Sequence, residues 1–392
     1  MTIELETLRA EFPSLVDPDH TVEPQWRAAL RDVPRDLFVP YFFVPLPDRP
    51  GWRIVESPNP EWANRVLTNR PLITQLNGSD EVAEALRRGA TVEGWATSSS
   101  SQPSLMVLML ETLGVHEGHR VLEIGTGSGY NTALLCHRLE SSDIVTVDVD
   151  PAITGRARAR LAQLDYHPHV VTADGMQGCP VHALFDQIMA TVAIPRLPQP
   201  WIEQTRDGGT ILFPLDTRNG GGLLPLLTVN GDTAEGHFLP DYGGFMPVRQ
   251  QKRHDAALAA FREVPDHQGT ERTTVLAHEV ATDEKAPFEY FAALFTGGYD
   301  QMSFTPSSGG PTQTWIALPD GSWACHTTDT DGTHRVRQGG PQQLWARIES
   351  LHWHWTNLGQ PQRHRFGLTV TPETHQVWLD DPRSPRQWTL PI

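Results

Sequence analysis

The chain has 392 residues, a formal net charge of −16 and only three cysteines. Because nucleic-acid binding needs clustered Lys and Arg, this acidic balance argues against a nucleic-acid partner. The sequence has no run of about 18 apolar residues, which argues against a transmembrane helix. The first twenty residues lack the apolar centre of a signal peptide, and few, unpatterned cysteines suit a reducing compartment. We therefore expect a cytoplasmic protein of two or three domains.

The first hundred residues have a mixed character. Apolar positions at helical spacing predict a helix over residues 22–38, which closes in Val33-Pro-Arg-Asp-Leu-Phe-Val-Pro40. Leu72–Leu76 is a predicted strand, and Asp80 is placed to cap a short helix, Glu81–Arg87. The proline- and aromatic-rich stretch Tyr41–Pro60 predicts a loop with short strands.

Four consecutive serines, residues 98–101, precede Gln102, Pro103 and an apolar helix predicted over Leu105–Leu113. Serine runs are most often flexible linkers. A linker is out of place two elements before a cofactor-binding strand. We therefore interpret the serine run as a loop of the functional site.

The most informative stretch is Val121-Leu-Glu-Ile-Gly-Thr-Gly-Ser-Gly-Tyr130. Apolar residues lead into glycines 125, 127 and 129, and a predicted helix follows over Asn131–Leu139. This order is typical of the first strand, turn and helix of a nucleotide-binding α/β sheet. The glycines allow a sharp bend and let a ligand approach the amides at the helix N-terminus.

Two acidic residues narrow the choice of ligand. Glu123, shortly before the first glycine, suits the ammonium group of an amino-acid-like ligand, which a pyrophosphate does not carry. Asp148 ends the next predicted strand, Ile144–Val147, and is placed to accept hydrogen bonds from ribose hydroxyls. An amino-acid group and a ribose on one ligand indicate S-adenosylmethionine.

Strands and helices continue to alternate after Asp148. The further predicted elements are a helix at Ile153–Leu164, strands at His169–Thr172 and Phe185–Thr191, a helix at Leu197–Gln204, a turn at Asp207–Gly209, a strand at Thr210–Leu215, and a closing hairpin of Leu223–Val229 and Glu235–Leu239 around Asn230-Gly-Asp232. This alternation predicts an α/β fold with a doubly wound, Rossmann-like sheet that binds its ligand at the strand C-termini.

Beyond about residue 245 the alternation stops, and an α+β extension is predicted. Its clearest element is a helix with Leu344, Trp345, Ile348, Leu351 and Trp355 on one face. The predicted domains are an N-terminal helix with an inserted substrate-side segment (1–96), a cofactor-binding core (97–244) and a C-terminal domain (245–392).

No metal site is predicted. The only candidate cluster, Cys325, His326 and His334, lacks a repeated ligand spacing. Another cysteine, Cys136, falls within a predicted helix and is expected to be a buried small apolar residue.

Six motifs, in order, resemble the protein-L-isoaspartate O-methyltransferase family. They are Val33–Pro40, Ser99–Pro103, Val121–Tyr130, Ala173–Gly175, Phe185–Thr191 and Asp207–Pro214. The resemblance implies a class I methyltransferase fold with S-adenosylmethionine as cofactor. By position, Ser101 is similar to the family's site serine, and Ser99 takes the place of its usual threonine. The implied cofactor-binding residues are Glu123, Gly125, Thr126, Gly127, Tyr130, Asp148, Asp174, Gly175 and Thr191.

Two segments depart from the family pattern, an insertion before the serine run (residues 41–96) and a long C-terminal extension (about 245–392). In these, and in Leu344-Trp345 and Phe366–Val370, the chain looks like an enlarged subgroup encoded beside ATP-grasp ligases. Those ligases crosslink ribosomal peptides of the graspetide type. The resemblance implies that an ordinary aspartate of such a peptide is methylated and then closes to an aspartimide.

Three functions follow from the sequence, each with a peptide as partner. The leading one is an S-adenosylmethionine-dependent methyltransferase that esterifies an aspartate of a modified ribosomal peptide. The second is repair of L-isoaspartyl residues in proteins. The third is a non-catalytic peptide-binding partner of a ligase, against which the intact Glu123–Tyr130 motif, Asp148 and Asp174 argue.

Overall fold

The structure is a computed structural model that describes residues 2–47, 49–218, 222–248, 256–264, 268–283, 286–306 and 309–390. The chain divides into two compact units. Unit 1 comprises Met1–Val192, Pro198–Phe213 and Thr228–Asp232, and unit 2 comprises Ala193–Leu197, Pro214–Leu227 and Thr233–Ile392. Within the described ranges, none of the helices has both the length and the apolar character that crossing a bilayer requires.

Unit 1 opens with helices and a small antiparallel sheet. The elements are α1 (Thr2–Val16), α2 (Pro24–Asp32), α3 (Arg35–Phe38), β1 (Tyr41–Pro45), β2 (Trp52–Glu56), α4 (Pro60–Val66), β3 (Leu72–Leu76), α5 (Glu81–Arg87) and β4 (Ala96–Ser100). The strand order is β2-β1-β3-β4, with antiparallel pairing throughout. Phe43 and Leu76 are buried in the core of this sheet, so the inserted segment is a folded part of unit 1.

The serine run is not the loop that the sequence predicts. Ser98–Ser100 lie in β4, where Ser99 pairs with Ile73 and Ser100 pairs with Leu72 of β3. Serine is not among the residue types enriched in strands, so the run carries no strand pattern of its own. The neighbouring strand, supplied by the insertion, decides its conformation.

The predicted cap at Asp80 is also wrong. The backbone of Asp80 is already helical, and its side chain makes no capping hydrogen bond. Its carboxylate forms an ion pair with Arg156 instead. The amide of Glu81 is satisfied by the hydroxyl of Ser79, at 3.2 Å.

The remaining elements of unit 1 form the predicted α/β core. They are α6 (Pro103–Leu113), β5 (Val121–Ile124), α7 (Tyr130–Arg138), β6 (Ile144–Asp148), α8 (Pro151–Ala162), β7 (His169–Thr172), β8 (Phe185–Ala190), α9 (Gln199–Glu203) and β9 (Thr205–Leu212), with short 3₁₀ turns at Ser141–Asp143, Gly175–Gln177 and Pro180–His182. The strands are parallel and lie in the order β9-β8-β5-β6-β7. The predicted doubly wound, Rossmann-like sheet is confirmed.

This strand order fixes the position of the ligand crevice. From β5 the chain proceeds to β6 and β7 on one side, and then returns to β8 and β9 on the other. The reversal occurs between β5 and β8. In open α/β sheets, ligands bind outside the carboxyl ends of the strands at such a switch point.

The turn predicted at Asp207–Gly209 lies inside β9 instead. The pairing of β9 with β8 is irregular there, because Phe185 lies opposite Thr205 whereas Gln187 lies opposite Thr210. Gly208 has a φ of +79°, which a bulge of this kind allows. The two glycines therefore serve a bulge within a strand and not a turn before it.

The elements after β9 are the strands of the predicted closing hairpin, β10 (Leu223–Asn230) and β11 (Thr233–Tyr242), followed by the α+β extension. The elements of the extension are α10 (Ala256–Glu263), β12 (Thr270–Thr274), α11 (Glu279–Thr282), α12 (Glu289–Thr296), β13 (Asp300–Phe304), β14 (Gln313–Ala317), β15 (Trp323–Thr328), β16 (His334–Gly339), α13 (Leu344–Asn357), a 3₁₀ turn (Arg363–Arg365), β17 (Phe366–Val370), β18 (His375–Leu379) and β19 (Gln387–Thr389). The break between β10 and β11 falls within the predicted turn.

Unit 2 contains two sets of antiparallel strands. In one, β17 pairs with β11 and β18, and β18 pairs with β19. The other is a five-stranded sheet in the order β12-β16-β15-β14-β13. Ala257 of α10 is buried against Trp315 and Trp323 of this sheet. Unit 2 therefore has an apolar core of its own.

Candidate active site

The glycine loop between β5 and α7 is held by its own backbone. The amides of Gly125 and Thr126 donate to the carbonyl oxygen of Val147, at 2.8 and 3.3 Å. Glycines 125, 127 and 129 have φ values of +98°, +50° and +85°, a region that side chains other than glycine rarely adopt. The three glycines therefore give the loop its shape.

The loop also approaches its neighbours too closely for a side chain. A Cβ at Gly125 would lie 2.7 Å from Oγ1 of Thr191, and a Cβ at Gly127 would lie 3.3 Å from the carbonyl oxygen of Ser99. Thr191 directly follows β8, and its hydroxyl donates to the carbonyl oxygen of Gly125, at 2.7 Å. The end of β8 and the serine strand thus meet at the same loop.

Glu123 lies beneath the loop and is fully buried. Its carboxylate accepts from Nδ2 of Asn131 and from the hydroxyl of Thr146, each at 2.7 Å, and from the hydroxyl of Thr132. Burial raises the pKa of Glu123, and these hydrogen bonds oppose the rise. In this arrangement Glu123 ties β5 to α7 and β6. Its contact with the ammonium group of a ligand stays a prediction.

Asp148 ends β6 beside the loop, as its predicted role requires. Its Oδ2 accepts from the amide of Gly127, and its Oδ1 accepts from the amide of Asp150, each at 3.1 Å. The half-buried carboxylate is therefore fixed at the carboxyl end of the sheet. Its contact with ribose hydroxyls stays a prediction.

Asp174 and Gly175 form the turn after β7. Oδ1 of Asp174 accepts from the amide of Met176 at 3.0 Å, and Nε1 of Trp201 donates to the carbonyl oxygen of Gly175 at 2.8 Å. A Cβ at Gly175 would lie 2.6 Å from Cγ2 of Ile124. The turn therefore packs directly on the end of β5, next to the glycine loop.

Thr126 and Tyr130 point into the core. Oγ1 of Thr126 lies 2.8 Å from Oγ1 of Thr146. The ring of Tyr130 lies 5.9 Å from that of Phe38 and is buried, and burial raises the pKa of its hydroxyl. Both side chains support the loop from within, and the cofactor contacts expected of these two residues stay predictions.

The two serines assigned to the substrate side lie at the end of β4. Both are half-buried, and Ser101 follows the strand directly, before α6 begins at Pro103. The close approach of the Ser99 carbonyl to Gly127 places this end of β4 against the glycine loop. The structure therefore brings the serines and the glycine loop together.

The residue that sequence reasoning missed is Arg35. It lies on α3, is fully buried, and donates from its guanidinium to five carbonyl oxygens, those of Val66, Thr68, Arg70, Ser100 and Ser101, and to the hydroxyl of Ser100. These distances range from 2.7 to 3.3 Å. Burial lowers the pKa of Arg35 to about 10, so it stays charged at neutral pH. Arg35 fastens the serines to α3 and to the insertion.

A signal for this role was present in the sequence. Arg35 stands between Pro34 and Leu37 in a short segment that is otherwise largely apolar, a setting in which a charged side chain needs a specific partner. The next residue, Asp36, is satisfied separately by Nε of Arg9, at 2.9 Å. What the sequence lacked was the identity of the acceptors, which lie far along the chain.

The insertion also fastens α6. Oδ1 of Asn69 accepts from the amide of Ser104, at 3.0 Å, in the first turn of α6. That amide has no partner within the helix, so a side chain from outside caps it. Residues of the insertion therefore border the serines directly.

The candidate metal cluster of unit 2 packs as part of the core. The ring of His326 is buried and lies 5.2 Å from the rings of His334 and Trp345 and 5.1 Å from that of His278. Over the ranges that the structure describes, no group of three or more His, Cys, Asp or Glu side chains is arranged to hold a metal ion.

The crevice at the switch point fits the predicted cofactor. The glycines leave backbone room at the N-terminus of α7, where amides favour negatively charged or polar ligand groups. The carboxylates of Asp148 and Asp174 stand at the ends of two neighbouring strands, next to the loop. These are acceptors suited to hydroxyl and amine donors of a nucleoside.

Comparison with known proteins agrees with this arrangement. The family model described as Protein-L-isoaspartate(D-aspartate) O-methyltransferase (PCMT) matches residues 89–232. The protein-L-isoaspartate O-methyltransferase of Gloeobacter violaceus is 36% identical over 154 residues, which cover 39% of this chain and 73% of that protein. The protein of the same description from Thermococcus onnurineus is 31% identical over 191 residues, which cover 48% of this chain and 69% of that protein.

A solved structure shares the fold over a longer span. It is described as a protein-L-isoaspartate O-methyltransferase, and the alignment covers 95% of this chain and all of that chain, with a TM-score of 0.53 and 19% identity. At this identity the likeness concerns the fold alone. Together with the sequence matches, it supports a class I methyltransferase fold. The chain therefore belongs to the protein-L-isoaspartate O-methyltransferase family, whose cofactor is S-adenosylmethionine.

Proposed function

We propose that this chain methylates a peptide carboxylate. The leading candidate substrate is the carboxylate of an L-isoaspartyl residue. The observation that carries the proposal is the meeting of the serine strand with the glycine loop at the switch point of the sheet. The loop side provides a place for a methyl donor, and the serine side provides hydroxyls for the acceptor. The named relatives support the isoaspartyl substrate, because each is described as a protein-L-isoaspartate O-methyltransferase.

The reaction needs positioning more than it needs a base. A peptide carboxylic acid with a pKa of about 4 is already ionised at neutral pH. S-adenosylmethionine, when bound, supplies an electrophilic methyl group: a C–O bond forms as the C–S bond breaks, and sulfur keeps the electron pair. The protein must hold the acceptor oxygen in line with the methyl carbon and the sulfur, at roughly 3 Å from the methyl carbon, and exclude water.

The described residues divide this work between two sides. Gly125, Gly127 and Asp148 lie where they would hold the donor. The hydroxyls of Ser99 and Ser101 would orient the carboxylate without neutralising it, which keeps it nucleophilic. After methylation, methanol is a better leaving group than oxide. The backbone nitrogen of the next peptide residue can then bond to the ester carbonyl carbon, which closes a five-membered succinimide and releases methanol without further help from the protein.

Arg35 adds an electrostatic argument for an anionic substrate. Its hydrogen bonds in the described structure go to carbonyl and hydroxyl oxygens, none of which carries a full negative charge. A buried charge without a counter-charge acts over a longer range than a solvated one. Two of its acceptors are the carbonyls of Ser100 and Ser101, so the positive charge lies next to the place expected for the substrate carboxylate.

A second candidate substrate is an ordinary aspartate of a crosslinked ribosomal peptide. The observation that favours it is the folded insertion, which Arg35 links to Ser100 and Ser101 and which Asn69 links to the first turn of α6. A repair enzyme that accepts many sequences gains little from an enlarged surface at its site. An enzyme that selects one aspartate gains specificity from such a surface. A crosslinked peptide has also lost flexibility before binding, which saves about 0.5–1.5 kcal/mol per side chain.

Mass spectrometry with matched peptides tests the proposal. A linear isoaspartyl peptide should gain one methyl group, and then lose methanol as it cyclises, whereas its aspartyl counterpart should not react. Methylation of the aspartyl form only when crosslinked would establish the second candidate instead. No reaction with any peptide, together with no binding of S-adenosylmethionine by calorimetry, would indicate a non-catalytic protein.

A further inference from the structure

Two positive features and the backbone of a third residue lie beside Ser101. The first is the guanidinium of Arg35, which donates to the Ser101 carbonyl at 3.2 Å. The second is the N-terminus of α6, an eleven-residue helix that begins at Pro103. The third is Arg70, whose own carbonyl accepts from the same nitrogen of Arg35, at 2.8 Å. Helix N-termini and buried cations both favour anions nearby.

The backbone of Arg70 is fixed on three sides. Its carbonyl is held by Arg35, and its neighbour Asn69 accepts from the amide of Ser104. Pro71 follows, which restricts Arg70 to an extended conformation. The side chain of Arg70, by contrast, is exposed to solvent. A fixed backbone close to Ser101 thus carries a solvent-exposed arginine side chain.

Arg70 also differs from three other arginines of the insertion in its charge pairing. Arg53 and Arg65 form ion pairs with Glu61, and Arg87 forms ion pairs with Glu56 and Glu84. Within the described residues, no ion pair or side-chain hydrogen bond is recorded for the guanidinium of Arg70. In a chain with a net charge of −16, an exposed cation at the proposed substrate side has its charge available for a ligand.

We infer that Arg70 binds an acidic side chain of the peptide substrate, one or two positions away from the carboxylate that is methylated. This inference rests on the proposed function and adds a substrate preference to it. An extended peptide advances about 3.3 Å per residue. With the reacting carboxylate at Ser101, the long side chain of Arg70 reaches the adjacent residues and not distant ones. The enzyme therefore selects peptides with an acidic residue next to the methylated one.

The experiment measures kcat/KM on isoaspartyl peptides that differ only in the flanking residue, Glu, Gln or Lys. The wild-type protein should prefer the Glu peptide over the Gln peptide about fivefold, which corresponds to the upper range of about 1 kcal/mol for an exposed ion pair. The preference should shrink at high salt, because the pair is solvent-exposed. Equal rates on the Glu and Gln peptides would overturn the inference.

Variants assign the preference to this residue. Arg70→Gln should make the kcat/KM values on the Glu and Gln peptides equal, and Arg70→Glu should favour the Lys peptide. Arg88→Gln is the matched control, since Arg88 is an exposed arginine of the same insertion that lies at the end of α5. A Glu preference that persists in Arg70→Gln would refute the inference while leaving the proposed function intact. Failure of the wild-type protein to methylate any of the peptides would refute the proposed function and this inference with it.

Discussion

Replacement of Arg35 tests whether one buried cation holds the serines at the site. In Arg35→Met a side chain of similar length keeps the volume filled, but five carbonyl oxygens lose a donor. Each buried acceptor left unpaired costs about 1–3 kcal/mol. Against this, removal of a buried charge whose hydrogen bonds among the described residues all go to uncharged oxygens recovers part of its desolvation cost. Since several acceptors are orphaned and one charge is relieved, we expect a net local destabilisation of about 2–4 kcal/mol.

Arg35→Lys separates charge from hydrogen bonding. Lysine keeps the positive charge but has three donors that radiate from one atom, whereas arginine has five in a planar fork. It can satisfy at most three of the five carbonyls. We therefore expect roughly half the destabilisation of the Met variant, with the same sign.

Hydrogen exchange followed by mass spectrometry is the assay, because it reports stability segment by segment. Amides of residues 66–70, 100–102 and 104 should exchange about 30-fold faster or more in Arg35→Met, the factor that 2 kcal/mol gives. Exchange in β17 and β18 is the internal control and should not change. Turnover should fall while affinity for S-adenosylmethionine is kept, because the hydrogen bonds of Arg35 go to the insertion and the serines. Exchange and turnover equal to those of the wild type would show that the carbonyls find other donors, and would refute the reasoning.

Four further predictions follow from the site and the cores. Asp148→Ala should weaken binding of S-adenosylmethionine by about 1–3 kcal/mol, and unchanged affinity by calorimetry would remove Asp148 from the donor site. Ser101→Ala should lower turnover at least about tenfold, or 1.4 kcal/mol in barrier, with donor affinity kept; equal losses in both would place Ser101 on the donor side. Gly125→Ala should lower donor affinity and thermal stability together, because its Cβ would lie 2.7 Å from Oγ1 of Thr191 at a φ of +98°. Burial lowers the pKa of His326 to about 4, below its value of about 6.5 in an unfolded chain; the stability contributed by the neutral ring is present above pH 6.5 and is lost as the pH falls toward 4. Urea unfolding at pH 7 and pH 5 should show this loss in the wild type and a smaller one in His326→Phe, and an equal loss in both would assign the acid sensitivity elsewhere.

Local sequence patterns were sufficient to predict the elements around the glycine loop in the α/β core. The stretch Val121–Tyr130 predicts a strand, a turn and a helix, and the structure has β5, the glycine loop and α7 in that place. Such predictions succeed because apolar strands and glycine turns are dictated by residues adjacent in sequence. Asp148 could be placed beside the loop for the same reason, since parallel strands carry their ends to one edge of the sheet.

Predictions failed where a distant partner decides the conformation. The serine run reads as a loop because serine has no strand preference, yet β3 pairs with it. Asp80 is predicted to cap a helix, yet its carboxylate forms an ion pair with Arg156, which lies far along the chain. Gly208 is predicted to lie in a turn. In the structure β8 pairs with the residues of β9 before and after Gly208, so that the glycine lies in a bulge.

The sequence by itself determined the α/β class, the glycine loop and the positions of the acidic strand ends, because these follow from short-range periodicity and backbone freedom. Only the tertiary structure showed that Arg35 fastens the serines and the insertion to one another. Its partners are mostly backbone carbonyls, and every residue except the chain terminus offers the same carbonyl. A pattern of side chains therefore cannot predict which carbonyl groups a buried arginine will bind. The folded chain determines them by bringing those segments within reach of the guanidinium.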